Sequence, residues 1–570
     1  MRKSLLFSLA FGPVFLFAQE DPETRDWGTL SGNFQFDGQY YVRDTRLDPS
    51  GEFYPEEQFL GQGFANFNYI RGNFRAGIRY ENYQNPLLGF PPGYRGEGIT
   101  YRYVQFVKDG LDVTVGNFYE QFGSGMLFRA YEERNLGYDN VMDGVRLKYS
   151  PIKGMTFKGI IGKQRKYFEK SEGIVRGIDG EFRLNDLFTG MSEMATHITI
   201  GGSFVSKYQP ANDPFLNLPE NVGAGGGRIS LSRGKVSLDA EYVFKANDPS
   251  EDNGYIFRPG QGLLINFTYA TRGFGLIFSA KRIDNMSFRS ERGAQQNDVL
   301  INFLPPTTKF HTYALPALYP YQTVLNGEQG FQTEMTYLFP RGSILGGKYG
   351  TNLAVNFAYA GSLYKEPIPK TDTLNYVQNG YNTEWFKQGQ INYYQDFNIE
   401  VKKKINKDLK VIATYYNMIY NFATLQDGVK DETLLTDPEA RDNLFINAGV
   451  IEIQYKLSNR HFLRSEIQGL FVTQDKGADV ADNRGDLAMV LVEYSISPHW
   501  SFGLQDIYNF GNPDPDRRLH YPLGSVTYVQ GTTRVQLTYG RQQQGIFCVG
   551  GVCRVVPPSN GVALSVTTNF

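Results

Sequence analysis

The sequence predicts an all-β protein whose strands form a single large antiparallel transmembrane β-barrel, and three observations support this fold class. The 570-residue chain contains 43 Phe, 38 Tyr and 62 Gly, although its mean hydropathy is only −0.38. Apolar and polar residues alternate with a period of two over segments of about ten residues. Short and long polar connections also alternate along the chain, as expected for short periplasmic turns and long extracellular loops.

The composition argues against several other classes of protein. A helical membrane protein would need several apolar runs of about 20 residues, and the sequence beyond the N-terminus contains none. A disordered chain would be poor in aromatic residues. The 57 basic and 59 acidic side chains give a net charge of −2, so electrostatics gives no reason to expect a nucleic-acid partner.

The N-terminus predicts export from the cytoplasm. Arg2 and Lys3 precede an apolar run at 5–17, and Ala18 follows it as the expected cleavage position. The alternative, an uncleaved membrane anchor, is disfavoured because the run is short for spanning a bilayer. The chain then divides into a signal peptide at 1–18, a short periplasmic segment at 19–27 and an outer-membrane β-barrel at 28–570.

The predicted strands show the alternation most clearly in 351–361, 391–402 and 73–81. In 351–361 the odd positions 353–359 are Leu, Val, Phe and Tyr, whereas the even positions 352–358 are Asn or Ala. One face of each segment is therefore apolar and the other is polar or small, which suits a strand between lipid and an aqueous lumen.

The connections predict the strand number. Tight turns are expected at sites such as 71–72, 108–110, 151–154, 232–234, 272–273, 406–408, 458–460, 497–499 and 531–532. Longer polar connections are expected at 43–62, 84–97, 163–173, 246–260, 283–328, 364–388, 425–442 and 474–485. Counting between them gives about 24 strands, within a range of 22 to 26, and an even number returns both termini to the periplasmic side.

The last segment of the chain alternates up to its final residue. Val566, Thr568 and Phe570 lie on one face of this predicted strand, and the chain ends on the aromatic residue. This pattern resembles the C-terminal assembly signal of Gram-negative outer-membrane barrels, which implies the barrel assembly machinery as a partner. The alternative is an ordinary edge strand that happens to end on Phe.

The two cysteines are Cys548 and Cys553, which flank Val-Gly-Gly-Val. Gly550-Gly551 suits a two-residue hairpin turn, and the cysteines then fall at a non-hydrogen-bonded pair where side chains approach most closely. A disulfide is predicted there; a metal pair and a redox dithiol are the alternatives. The five His are scattered along the chain, and neither a metal site nor a cofactor is predicted.

Three long connections are the candidate functional segments, and the third, at 364–388 with Tyr376, Tyr381, Trp385 and Phe386, carries the same alternatives as the second. The first, at 120–140, combines glycines with opposed charges and could form a constriction inside the barrel, or a solvated external loop with local ion pairs. The second, at 283–328, could plug the barrel, stack on sugars, hold a partner, or pack on the lumen wall. The residues singled out are Phe122, Arg129, Glu132, Glu133 and Arg134 in the first segment, and Phe303, Phe310, Tyr313, Tyr319 and Tyr321 in the second.

Two of the sequence segments carry a resemblance to a known group of proteins. Tyr-Glu-Gln-Phe-Gly-Ser-Gly at 119–125 and Leu-Pro-Ala-Leu-Tyr-Pro-Tyr at 315–321 are similar to segments of uncharacterised Bacteroidota outer-membrane barrel proteins. The resemblance implies a barrel in the cell outer membrane, surrounded by outer-membrane lipid. It implies no activity and no functional residue.

The leading functional hypothesis is a channel or transporter for small polar solutes, narrowed by its long loops. Arg75, Arg79 and Glu81 on one predicted strand suggest a hydrated lumen with charges of both signs. The main alternative is a plugged barrel that acts as a structural or surface-binding component with a protein or glycan partner. A secreted soluble all-β protein is the third hypothesis. No enzyme is predicted, because hydrolase, zinc-protease and Walker motifs are absent from the sequence.

Overall fold

The fold is a closed ring of 24 strands. The computed structural model describes residues 27–295, 297–368, 380–426, 443–474, 485–549 and 552–570, with the backbone alone at 547–549 and 552–553. The predicted signal peptide and most of the segment at 19–27 lie outside these residues. Each strand pairs antiparallel with its neighbours in the chain, and the last strand pairs with the first. The predicted fold class and strand number are therefore confirmed.

The barrel strands are numbered in chain order. The first half comprises β1 (Thr29–Tyr41), β2 (Phe59–Arg71), β3 (Phe74–Asn85), β4 (Gly96–Lys108), β5 (Leu111–Phe118), β6 (Met142–Tyr149), β7 (Met155–Lys166), β8 (Glu169–Arg183), β9 (Thr196–Tyr208), β10 (Asn221–Arg233), β11 (Val236–Lys245) and β12 (Gly260–Thr271). The second half comprises β13 (Phe274–Asp284), β14 (Gly327–Phe339), β15 (Thr351–Pro367), β16 (Tyr381–Lys404), β17 (Leu409–Asn421), β18 (Asn443–Lys456), β19 (His461–Gln474), β20 (Leu487–Ile496), β21 (Trp500–Asn509), β22 (His520–Gln530), β23 (Thr533–Gln542) and β24 (Ser559–Asn569).

Short elements occupy the connections. The described residues include two single-turn α-helices, Leu184–Leu187 and Phe422–Leu425. None of the helices in this part of the chain is long and apolar enough to cross a membrane. The short strand pairs are Glu120–Phe122 with Phe128–Ala130, Glu132–Glu133 with Tyr138–Asp139, and Gly545–Val549 with Val552–Val556. Single 3-10 turns lie at Pro92–Tyr94, Arg134–Leu136, Thr189–Met191, Glu251–Asn253, Pro316–Leu318 and Pro515–Arg517.

The alternation of the sequence gives the barrel wall two different faces. Leu504 and Tyr539 are 70% and 62% exposed and lie in register on the outer face, whereas the neighbouring Gln505 points to the lumen. Exposed Phe, Leu, Ile, Val and Tyr side chains recur on the outer face around the ring. An apolar exterior around a polar interior is the arrangement expected of a barrel surrounded by lipid.

Most connections are short at one end of the barrel and long at the other; the exceptions are 184–195 and 340–350 at the short end and 167–168 at the long end. Two-residue turns at 72–73, 109–110, 234–235, 272–273 and 531–532 lie at one end, the short-turn end. The predicted long connection at 163–173 is wrong, because β7 and β8 continue through it to a turn of only Tyr167 and Phe168. The Tyr167 ring packs edge-on against Tyr94 and its hydroxyl donates to Asp298, so tertiary contacts hold this tight turn.

The terminal strand closes the ring. β24 pairs with both β23 and β1, and Phe570 exchanges backbone hydrogen bonds with Gly32. The Phe570 ring lies 5.9 Å from the ring of Phe67 on the outer surface. The segment is therefore not an edge strand, and its proposed use as an assembly signal stays a prediction.

The two faces of β21 provide a matched test of membrane insertion. We expect Leu504→Arg to cost about 2–4 kcal/mol of unfolding free energy in lipid vesicles, because a cation then faces hydrocarbon. The adjacent Gln505→Arg faces the lumen and should cost much less. Urea unfolding of both variants in the same vesicles measures the difference, and equal losses would contradict the assignment of the faces.

Candidate functional site

Two loops fold into the lumen, and we call them the first inner loop (residues 119–141) and the second inner loop (residues 285–326). The first reaches strands that lie far apart in the ring. Arg134 donates to Gln35 of β1 at 3.1 Å, and the backbone N–H of Ser124 donates to Glu241 of β11 at 2.8 Å. A single loop can touch both strands only from inside the barrel.

Close packing holds the first inner loop against β7 to β13. The Phe122, Met126 and Phe128 side chains are fully buried. Glycines on the wall make room for them, since a Cβ at Gly177 would lie 2.8 Å from Phe122 and one at Gly262 would lie 2.6 Å from Met126. Such contacts are too close for a larger residue unless the loop side chain or the wall shifts. The apolar wall residues of this cluster are Ile160, Val175, Val205, Val222, Ala224, Val243, Leu264 and Ile283.

A cluster of buried ion pairs also fixes the first inner loop. Asp139 of the loop accepts from Arg79 of β3 at 2.6 Å and from Arg165 of β7 at 2.7 Å. The two guanidinium groups also contact Glu81 at 2.7 and 2.6 Å, and Arg79 contacts Glu132 at 2.8 Å. Arg79 and Glu81 are 3% and 1% exposed, so the expectation that both line a hydrated lumen is wrong. The loop covers them because its own carboxylates neutralise the arginines.

The electrostatics of this cluster favour arginine over a metal ion as the counter-charge. Burial raises the pKa of the Asp139 carboxyl above its ordinary value, although Arg165 and Arg79 oppose that shift. Oxygens of Glu81, Glu132 and Asp139 lie within 4.8 Å of one another, and this is the one group with metal-ligand geometry in the described residues. The guanidinium groups already contact all three carboxylates. The two arginines therefore supply the counter-charge, and the cluster anchors the loop.

The residues predicted for a constriction lie inside the barrel but are largely paired. The Arg129 guanidinium lies 4.1 Å from the ring of Tyr131 and 4.2 Å from that of Phe303. Arg134 donates to Glu132 at 3.0 Å, and Glu133 lies in the short strand that pairs with Tyr138–Asp139. The segment is thus not a solvated external loop, while its use as a constriction stays a prediction.

The second inner loop crosses the lumen. Near its start, Lys207 of β9 donates to the backbone oxygen of Arg289 at 2.8 Å. Further along, Tyr313 donates to Glu452 of β18 at 3.0 Å. The segment therefore runs from one side of the ring to the other, and it packs there on the inner faces of β15 to β22.

The aromatic residues predicted for the second loop differ in their surroundings. Tyr313, Tyr319 and Tyr321 are buried, and the rings of Tyr319 and Tyr321 lie 5.5 and 5.2 Å from wall tyrosines. Phe303 packs on the first inner loop, whereas Phe310 is 40% exposed. Most of these side chains thus pack on the lumen wall or the neighbouring loop, one of the alternatives stated above.

The inner loops join into one body. The backbone N–H of Arg129 donates to Ile301 at 2.9 Å, and that of Phe303 donates to Gly125 at 2.9 Å. Gly125 has a φ of 98°, a left-handed conformation that favours glycine at this junction. Asn140 extends the contact by donating to the backbone oxygen of Leu300 at 2.8 Å.

A different part of the lumen wall keeps its side chains accessible. On β21 to β24 and β1 most inward residues are small or uncharged polar ones and are partly exposed, whereas Ile507 and Tyr521 at the long-loop ends of β21 and β22 are buried under the second inner loop. We call this surface the open wall, which consists of Ser501, Gln505, Ser525, Thr527, Gln536, Thr538, Ser565, Thr567, Asp37 and Gln39. The serine and threonine alternation is visible in the sequence, but nothing there indicates which wall the loops leave uncovered.

A polar cavity lies at the long-loop end of the open wall. Its volume is about 220 Å³, and it lies between the connections that follow β1, β21 and β23. Arg46, Asp48, Glu52 and Arg517 are among its lining residues. The cavity could form an entrance to the lumen above the open wall.

The cysteine hairpin has the predicted backbone register. Val549 pairs with Val552, and Cys548 pairs with Cys553 in the next position. The side chains at 547–553 lie outside the described residues, so the disulfide stays a prediction.

We expect a maleimide reagent to label the two cysteines of the denatured protein only after reduction, because the two sulfurs are bonded to each other until a reductant is added. Labelling without reductant would contradict the disulfide.

The ion-pair cluster gives a test of loop anchoring. Arg165→Met leaves Glu81 and Asp139 without one of their cations, and we expect a loss of about 3–5 kcal/mol in stability. The first inner loop should then become cleavable by trypsin at Arg129 or Arg134. The control is Arg102→Met, which removes a more exposed pair with Asp143 at 3.4 Å and should cost about 0–1 kcal/mol. Unchanged protection in the Arg165 variant would contradict the anchoring role.

Comparison with solved structures finds outer-membrane proteins at low sequence identity. The siderophore receptor PirA from Pseudomonas aeruginosa is 9% identical with a TM-score of 0.40, over 96% of this chain and 81% of that chain. The outer-membrane transporter YddB from Escherichia coli is 9% identical with a TM-score of 0.38, over 95% of this chain and 81% of that chain. A BenF-like porin from Pseudomonas fluorescens Pf-5 is 12% identical with a TM-score of 0.32, over 78% of this chain and 97% of that chain.

Comparison by sequence gives a family but no characterised relative. No curated protein matches the chain. The origin in Bacteroidota stays a prediction. A family model does match the chain over residues 1–570, and the protein therefore belongs to DUF6029, a family of unknown function.

Proposed function

We propose that this protein is an outer-membrane channel or transporter for small polar solutes, with its solute path along the open wall. The observation that carries the proposal is the division of the inner face into two parts. The inner loops bury the wall from β7 to β13 and much of β15 to β22. The open wall keeps accessible hydroxyl and amide groups along the barrel.

The outer membrane is the proposed location, with the barrel surrounded by its lipid. Support comes from the apolar outer face of the strands and from the predicted signal peptide. The long loops then face the outside of the cell and the short turns face the periplasm. Export and insertion would involve the barrel assembly machinery, for which the terminal strand is the proposed signal.

The chemistry of the open wall suits polar solutes without a strong charge preference. Serine, threonine and glutamine side chains can both donate and accept hydrogen bonds. Asp37 already accepts from Gln35 and Ser565, each at 2.7 Å. The wall therefore offers many exchangeable hydrogen bonds and few charged side chains, which favours passage of neutral polar molecules over strong binding. We assign no enzymatic activity to it.

A plugged barrel is the second candidate function. The observation that favours it is the strength of the loop anchoring, in which buried ion pairs hold the first inner loop and buried aromatic side chains hold the second. Such a barrel would present its outer loops to a protein or glycan partner and would conduct no ions.

Cysteine modification along the lumen tests the proposed path. In a background of Cys548→Ser and Cys553→Ser, Ser525→Cys on the open wall should react with a charged, thiol-specific reagent. We expect the reagent to reduce the single-channel conductance in planar bilayers. The matched control is Ala448→Cys, because Ala448 points inward on β18 but is only 2% exposed beneath the second inner loop.

The recordings separate the two candidate functions. Silence of the unmodified protein and of a variant lacking residues 300–325 would contradict the channel and favour the plugged barrel. Block of equal size at both cysteine positions would instead contradict the placement of the path. A conducting wild type with a larger conductance after the deletion supports a channel that the second inner loop narrows.

A further inference from the structure

The hairpin of β15 and β16 extends beyond the barrel rim and bends over the outer surface. We call its last part the overhang, residues 361–367 and 381–391. The pairing of β15 with β16 shifts register between Ala360 and Lys365, which allows the bend. The Trp385 ring then lies 6.1 Å from that of Tyr242 on the outward face of β11. The overhang therefore lies across the outside of β11 to β14.

A groove lies between the overhang and the outer wall. Its volume is about 480 Å³. The wall side consists of outward residues in one continuous register, in which Ala280 pairs with Ile265 and Phe331, and Phe331 pairs with Tyr359. Trp385 and Phe386 line the overhang side. Because these wall residues belong to the apolar outer face, the groove continues the surface that contacts hydrocarbon.

The end of the groove nearest the long loops is basic. Arg282 points outward there and is only 5% exposed. Its Nη2 contacts Thr383 at 2.9 Å and Asp284 at 3.4 Å, but its Nε and Nη1 have no hydrogen-bond partner among the described residues. Arg258 also contacts Asp284, at 2.7 Å. Two arginines thus share one carboxylate, which leaves positive charge and unused donors beside the groove.

The polarity of the groove follows the barrel axis. Arg282 lies near the long-loop end of β13, and Ala280 and Phe278 follow it toward the membrane centre. An amphiphile with its anionic head at the arginine would therefore extend its chain down the apolar wall, in the orientation of an outer-leaflet lipid. Guanidinium groups match phosphate oxygens in geometry as well as charge.

We propose that this groove is a binding site for a membrane lipid with an anionic phosphate headgroup and an acyl chain. The phosphate contacts Arg282, and the chain lies between Phe331 of the wall and Trp385 of the overhang. The site requires the barrel to lie in a bilayer, but it does not depend on whether the lumen conducts.

A simpler role for Arg282 is to hold the overhang against the barrel wall. Its guanidinium lies 4.6 Å from the Trp385 ring, and that contact stabilises the overhang without any ligand. This contact with Trp385 accounts for the position of Arg282. It does not account for two unpaired nitrogens, Nε and Nη1, on a side chain at nearly complete burial, and a bound anion would relieve the cost of leaving them unpaired.

Tryptophan quenching can separate specific binding from ordinary lipid contact. The chain has three Trp residues. Trp27→Phe with Trp500→Phe leaves Trp385 as the reporter in the groove. Trp27→Phe with Trp385→Phe leaves Trp500, an exposed residue at the short-turn end of β21 that reports surrounding lipid. Both proteins are placed in phosphatidylcholine nanodiscs containing a small fraction of phosphatidylglycerol with brominated acyl chains.

We expect brominated phosphatidylglycerol to quench Trp385 several-fold more than Trp500, and brominated phosphatidylcholine to quench the two alike. Arg282→Gln should remove the excess quenching. The matched control is Arg102→Gln, because Arg102 also points outward and has an acidic partner, but lies away from the overhang. Heat-modifiable migration on a gel checks that each variant is folded.

A second variant keeps the proposal testable if the arginine is needed for folding. Ala280→Phe fills the groove while leaving every charge in place, and it should also remove the excess quenching. Equal quenching of Trp385 and Trp500 by both lipids would overturn the proposal, as would excess quenching that survives both Arg282→Gln and Ala280→Phe.

Discussion

Closure of the sheet is the constraint on which the rest of the structure depends. In hydrocarbon an unpaired backbone N–H or C=O costs several kcal/mol, so a spanning sheet must leave no edge. Here the pairing of β24 with β1 completes a ring of 24 strands. The ring then imposes the alternation of side chains, because successive residues must face lipid and lumen in turn. It also sets a lumen far wider than wall side chains can fill.

The inner loops follow from that width. A wide lumen can hold polypeptide, but peptide groups and charges brought into it need partners. The first inner loop meets this need with the Asp139 contacts to Arg79 and Arg165, and the second crosses to Glu452 through Tyr313. Both segments by which the sequence resembles outer-membrane barrel proteins, 119–125 and 315–321, lie in these loops. The resemblance thus falls on the contents of the barrel.

The same wall carries two surfaces of opposite character at different positions around the ring. The open wall offers hydroxyl and amide groups to water in the lumen, and these are suited to transient contacts with solutes. The groove beneath the overhang offers hydrocarbon contacts and unpaired guanidinium donors on the outside, and these are suited to a retained lipid. A proposed path and a proposed binding site therefore occupy separate faces, so loss of one need not affect the other.

The sequence by itself determined the closed barrel, the strand number and the two-faced strands, because period-two alternation is a local property of adjacent residues. It also identified the loops at 120–140 and 283–328 from their length and their glycines and aromatics. The expected connection at 163–173 was wrong because contacts from Tyr94 and Asp298, distant in sequence, hold a tight turn there. Only the tertiary structure decided that Arg79 and Glu81 anchor a loop and that the open wall on β21 to β24 and β1 remains uncovered. Those outcomes depend on which segments meet across the ring, and strand alternation carries no information about such distant contacts.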